Sequence, residues 1–163
     1  MYKILTLLFS TFLFSSCFGN NNTDSVVFLV PKNFEGVVLI VFDASSSSKP
    51  TFENGNKTYH IPENGILRTN DKPVKGVHQQ LFFEVDSEGK RVLLNYYTYV
   101  DLQNKKPKLD ELICYGREWG VTKNENTKQD ILFEVFLVSK VKNLEKIASQ
   151  KDKLVRKEIH GWE

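Results

Sequence analysis

Three histidines, two cysteines, a run of serines and a cluster of carboxylates are the residues here whose types could do chemistry. Metal ligation needs histidine, cysteine or carboxylate at fixed spacing. His60, His78 and His160 stand apart, and neither His-Glu-x-x-His nor Cys-x-x-Cys occurs, so each histidine is read as structural or solvated and no metal is expected. A serine nucleophile wants a Gly-x-Ser-x-Gly elbow, whereas Ser45–Ser48 lie in a plain connecting stretch. Glu84, Asp86 and Glu88 gather near a hairpin end, and Glu84 and Asp86 share a strand face. Their spacing approaches the ~5–9 Å that glycoside hydrolysis requires. Strands present such pairs routinely, so a solvent-facing role is expected. The aromatic residues carry more: Tyr96, Tyr97 and Tyr99 follow one another along a strand, and Arg117 and Trp119 sit between glycines. Aromatics exposed on a sheet face or a loop suit sugar, peptide or protein binding, although packing under a helix would use the same rings. Tyr97, Arg117 and Trp119 are therefore the binding candidates. No catalytic residue and no cofactor are expected, and the chain does not read as an enzyme.

The chemistry that the sequence does point to is at Cys17. Lys3 precedes an apolar run from Ile4 to Phe14, and Ser15 and Ser16 stand directly before Cys17. This is the charged, apolar and small-residue order of an export signal. The run is shorter than the ~20 residues of a membrane-spanning helix. Leu13-Phe14-Ser15-Ser16-Cys17 resembles a bacterial lipobox, in which the cysteine is lipidated and becomes the mature N-terminus. Residues 1–16 are then the signal peptide, and 17–25 are the lipidated cysteine and a polar, flexible tether. Cys114 is the second cysteine; its apolar setting, Leu112-Ile113-Cys114-Tyr115, predicts a buried, inert thiol.

Charge adds exclusions. The full chain carries +2, and removal of residues 1–16 takes one lysine, leaving about +1. There is no basic stripe for nucleic acid. Arginine occurs only at 68, 91, 117 and 156, which disfavours a dedicated bidentate anion site. The remaining length suits one domain with its own core.

That domain, residues 26–163, must position the candidates, and its pattern is mostly period two. Val26–Val30 is a strand stopped by Pro31, and Gly36–Asp43 is a strand apolar on both faces, which calls for cover on each side. Ala44–Asn56 reads as a long loop. Short strands at 57–61 and 66–69 flank an Asn64-Gly65 turn needing positive φ. Gln80–Asp86 alternates, with Leu81, Phe83 and Val85 on the expected core face and Phe82 on the polar one. It forms a hairpin with Arg91–Val100. A polar loop spans Asp101–Lys108, a weak strand Leu112–Tyr115 and a strong one Ile131–Ser139. From about 142 to 158 the apolar residues switch to helical spacing. Seven or eight strands and a helix predict a mainly β fold: an antiparallel β-sandwich, immunoglobulin- or transthyretin-like, with a C-terminal amphipathic helix.

Three segments, Val30-Pro31-Lys32-Asn33-Phe34-Glu35-Gly36-Val37-Val38, Ile61-Pro62-Glu63-Asn64-Gly65-Ile66-Leu67-Arg68-Thr69 and Phe136-Leu137-Val138-Ser139, resemble in order and spacing a family of small exported bacterial proteins classed only as a domain of unknown function. The resemblance covers most of residues 26–146. It implies a signal-peptide or lipoprotein chain and brings no activity, ligand or catalytic residue. The expectation is a lipid-anchored protein of the bacterial cell envelope, at the outer membrane, with a non-catalytic binding or accessory domain. Its partners are the membrane, through the N-terminal lipid, and an envelope protein or glycan. An inhibitor or immunity-type lipoprotein is the alternative, and an envelope hydrolase fits least.

Overall fold

The computed structural model describes residues 25–160 apart from 44, 47, 75, 77 and 124–127. The signal peptide, Cys17 and the tether up to residue 24 lie outside the described residues. Among the described residues, nine strands are β1 (Ser25–Pro31), β2 (Gly36–Phe42), β3 (Thr51–Glu53), β4 (Asn56–His60), β5 (Ile66–Thr69), β6 (Gln79–Val85), β7 (Arg91–Tyr97), β8 (Leu112–Lys123) and β9 (Asp130–Lys140). Two α-helices join them, α1 (Tyr99–Lys105) and α2 (Leu144–Val155). A 3-10 turn, Val141–Asn143, leads into α2, and a wider π-type turn, Arg156–His160, ends it.

The mainly β content and the C-terminal helix are as the sequence predicts, but the arrangement is not the antiparallel sandwich. The strands form one mixed sheet in the order β3-β4-β1-β6-β7-β8-β9-β2-β5. Four of its pairings are parallel: β1 with β4, β1 with β6, β2 with β5 and β7 with β8. The physical reason lies in β1 and β2, whose residues are buried on both alternating faces. Strands covered on both sides suit parallel neighbours reached by crossovers, whereas hairpins leave one face wet. The short strands at 56–60 and 66–69 accordingly do not pair with each other; β4 joins β1 and β5 joins β2.

The sheet curls so that one face closes on itself. Phe28 of β1 stacks on Phe82 of β6 at 5.0 Å, and both meet Phe136 of β9 edge-on. Val38 and Ile40 of β2 complete this inner core. On the outer face, Val37, Leu39 and Val41 of β2 and Val135 and Leu137 of β9 are covered by α2 through Ile147, Leu144, Ala148, Leu154 and Val155. The apolar stripe of the helix thus packs on the sheet, and its lysines solvate the other side.

Four local departures have local causes. Phe82 is 1% exposed while Leu81, Phe83 and Val85 are only half-buried, the reverse of the expected faces. The interior takes the ring that can stack on Phe28 and Tyr96. The strand from Arg91 stops at Tyr97 because Thr98 and Asp101 form a reciprocal capping box: the Thr98 hydroxyl accepts from the Asp101 N–H, and the Asp101 carboxylate accepts from the Thr98 N–H at 3.0 Å. Within the long loop after β2, Thr51–Glu53 adds an edge strand to β4. Finally β8 runs on past the short Leu112–Tyr115 strand that the sequence predicts, through the stretch punctuated by Gly116 and Gly120, with a bulge between Tyr115 and Glu118.

Gly65 is required twice over. Its φ is +76°, and a Cβ there would lie 2.4 Å from the Val37 carbonyl oxygen. That approach lets the Gly65 carbonyl accept from the Leu39 N–H at 2.9 Å, which starts the β5–β2 pairing.

Candidate functional site

The bulge of β8 is where two of the sequence candidates, Arg117 and Trp119, meet. Gly116, at φ +64°, and Arg117 together oppose the single residue Phe136 at the bulge. Gly116 supplies the left-handed conformation without steric cost. The bulge aims Arg117 into the core end, where it pairs with Glu134 of β9, a side chain only 2% exposed. The Arg117 guanidinium also lies 4.8 Å over the Trp119 ring, and that ring stacks on Phe42 at 5.6 Å. Burial pushes the Glu134 carboxyl up, and the Arg117 hydrogen bond and charge oppose the rise. Close by, Asp71 accepts from the Tyr59 hydroxyl at 2.6 Å and from Lys57 at 2.7 Å. Burial works to raise Asp71, but these two donors outweigh it and hold its carboxyl low; burial and Asp71 together push the Tyr59 hydroxyl up.

On its other side the bulge opens a cleft. β7 ends at Tyr97, paired to Tyr115, while β8 continues to Lys123. Among the described residues, β8 has no strand neighbour beyond Tyr115 on the side away from β9. The space left between this edge, the start of α1 and the middle of α2 is a cleft of about 530 Å³. Its walls include Tyr96, Tyr99 and Tyr115, with Glu118, Lys151 and Asp152 at the helix side. Tyr99 is 65% exposed. Tyr96 is held from behind by Phe82 at 5.5 Å, and its hydroxyl accepts from the Arg117 N–H at 3.4 Å. Burial raises the Tyr96 hydroxyl, so it stays protonated at neutral pH. Glu118 accepts from Lys151 at 2.6 Å across the cleft wall.

The structure therefore joins Arg117 and Trp119 and sets Tyr97 apart. Tyr97 is buried, donates to Glu111 at 3.3 Å and lies beneath Lys105. Cys17 lies outside the described residues. Cys114 is fully buried and free; burial first, then the charge of Glu134, pushes its thiol well up, away from reactivity. Glu84 accepts from the Asn33 N–H, and Asp86 accepts from the N–H groups of Glu88 and Lys90, so both carboxylates serve turns. His60 meets Thr51 at 3.1 Å, and His78 contacts the Gly76 carbonyl. Among the described residues no three histidine, cysteine or carboxylate side chains come together as metal ligands, and no helix is long and apolar enough to cross a membrane. Glu118, Lys151 and Asp152 were not singled out by sequence. Their only signal is the 33-residue separation of an ion pair that a strand bulge and a distant helix create.

These features define a mainly β domain built on one curled mixed sheet, with an aromatic cleft at a strand bulge. Residues 22–97 match the model of the "Family of unknown function (DUF6843)". The matched stretch holds both the 30–38 and 61–69 segments and ends with β7, so α1, β8, β9 and α2 lie beyond it. The curated proteins searched give no match. Among solved structures, the crystal structure of a "Putative Lipoprotein from Bacillus anthracis" is 15% identical, with a TM-score of 0.49 over 72% of this chain and 71% of that one.

Proposed function

We propose that this protein is a lipid-anchored, non-catalytic binding domain of the bacterial cell envelope and that the cleft beside the β8 bulge takes its ligand. The observation that carries the binding reading is the cleft itself: exposed tyrosines, one backed rigidly by a core ring, beside the Glu118–Lys151 ion pair. Such a surface suits a ligand, since rigid aromatic faces bind at little entropic cost. The buried Arg117–Glu134 pair sets the bulge in place from the core side.

The location reading rests on the Leu13–Cys17 pattern and on the position of β1. β1 starts at Ser25, eight residues after Cys17, so a lipid on Cys17 would hold the domain within about 28 Å of the bilayer. The register brings the cleft to the same end. Ser25 stands level with Gln79, and the antiparallel β6–β7 pairing returns Tyr97 to that end. A ligand held in the cleft would thus lie near the membrane surface.

Cell fractionation tests this reading. Stable attachment requires acyl chains whose buried methylenes contribute about 0.8 kcal/mol each. Wild-type protein is expected in the membrane fraction, and Cys17→Ala, once its signal is cleaved, in the soluble fraction. A cleaved Cys17→Ala chain that stays in the membrane contradicts it.

A further inference from the structure

We propose that the cleft beside the β8 bulge binds a neutral saccharide; this rests on the reading of that cleft as the ligand site and names the ligand's class. The first argument is charge. Arg117 is committed to Glu134, and Lys151 is committed to Glu118 at 2.6 Å. Among the described residues, Asp152 is the one charged group lining the cleft without an ion-pair partner. A phosphate, sulfate or nucleotide would meet two carboxylates there and one ammonium already in use. An anionic ligand is therefore disfavoured, and so is a purely apolar one, which would strand the Glu118–Lys151 pair away from water.

The second argument is shape. A sugar ring presents a face of C–H groups and a rim of hydroxyls. Tyr99, 65% exposed, offers the open aromatic platform, and Tyr96, fixed by Phe82 on one side and by the Arg117 N–H at its hydroxyl, offers a rigid one. Glu118, Lys151 and Asp152 stand at the rim with acceptors and donors for hydroxyl groups. The volume, about 530 Å³, lies inside the range of small-ligand sites and leaves room for a short oligosaccharide. An extended peptide would use a different feature, the open backbone edge of β8 beyond Glu118.

The test is an amide-resolved NMR titration of the chain from residue 17 onward, the mature form under the reading above, carrying Cys17→Ser to keep it free of lipid. The probes are a trimer of N-acetylglucosamine and maltotriose, each to about 10 mM, which reaches the millimolar affinities of single sugar sites. The expected result is saturable shifts at Tyr96, Thr98, Gly116, Glu118 and Lys151 with at least one probe. Tyr99→Ala should weaken binding at least about tenfold, and Phe52→Ala, an exposed ring elsewhere, should leave it unchanged. No cleft shift with either sugar overturns the proposal, as does unchanged sugar affinity in Tyr99→Ala. Cleft shifts with an oligopeptide but not with sugar overturn it while leaving the cleft as the binding site.

Discussion

Arg117 and Glu134 form a buried ion pair, and each charge has left water for the core end of the sheet. The two differ in consequence: Glu134 is the more deeply buried, so removal of its partner strands a carboxylate in a low-dielectric setting. Burial already raises the Glu134 pKa above its ordinary 4.5. A carboxyl raised on folding contributes stability that is complete below its unfolded value and is lost as pH climbs through its folded one. Without Arg117 the rise is larger. Arg117→Met is therefore expected to cost about 3–5 kcal/mol at pH 7 and distinctly less near pH 4. Denaturant midpoints of parent and variant at the two pH values measure the gap; a gap that does not change with pH contradicts the assignment. At the same scale Cys114 is silent, since a buried thiol with a raised pKa offers no thiolate.

At the scale of elements, α2 is the outer cover of β2 and β9, and its stability is tied to theirs. Leu144→Ala with Ile147→Ala removes one half-buried and one buried side chain from that interface. The pair is expected to cost about 3 kcal/mol and to lower Tm by roughly 6–12 °C, read by calorimetry. An unchanged Tm would mean that the stripe is not packed. This helix was legible in the sequence because its period of 3.6 is a local signal, as were the β6–β7 hairpin and the positive φ at Gly65. Strand pairing was not. Alternation shows which residues share a face but not which strand lies alongside, so the parallel β1–β4 and β2–β5 pairings were hidden in crossovers. β8 was misread for a different reason: glycine usually punctuates a strand, yet Gly116 makes a bulge, and Gly120 admits the Phe133 ring, whose Cζ would sit 2.0 Å from a Cβ there. Arg117 and Trp119 could be named from composition, whereas the cleft could not, since its helix wall comes from residues 148–152 and its strand wall from 115–118.

At the scale of the whole molecule, the fold is a covered sheet with the aromatic cleft at one end. Ser25, Gln79 and Tyr97 lie at that end, and so does the cleft that begins where β7 stops. The opposite end carries the turns, where Lys32 donates to the Val85 carbonyl at 2.8 Å and Asp86 organises the hairpin from β6 to β7, and it holds a second hollow of about 730 Å³ between Pro31, Pro62 and Val85. A short tether from Cys17 would then present the cleft close to the bilayer, where reach and orientation are both restricted. The account stands on Cys17 being the anchored first residue of the mature protein. Intact-mass spectrometry of the protein extracted from its native membranes tests this most directly. The predicted result is a chain that begins at residue 17 and carries the added mass of acyl chains on Cys17; an unacylated chain, or one that begins at any other residue, would contradict it.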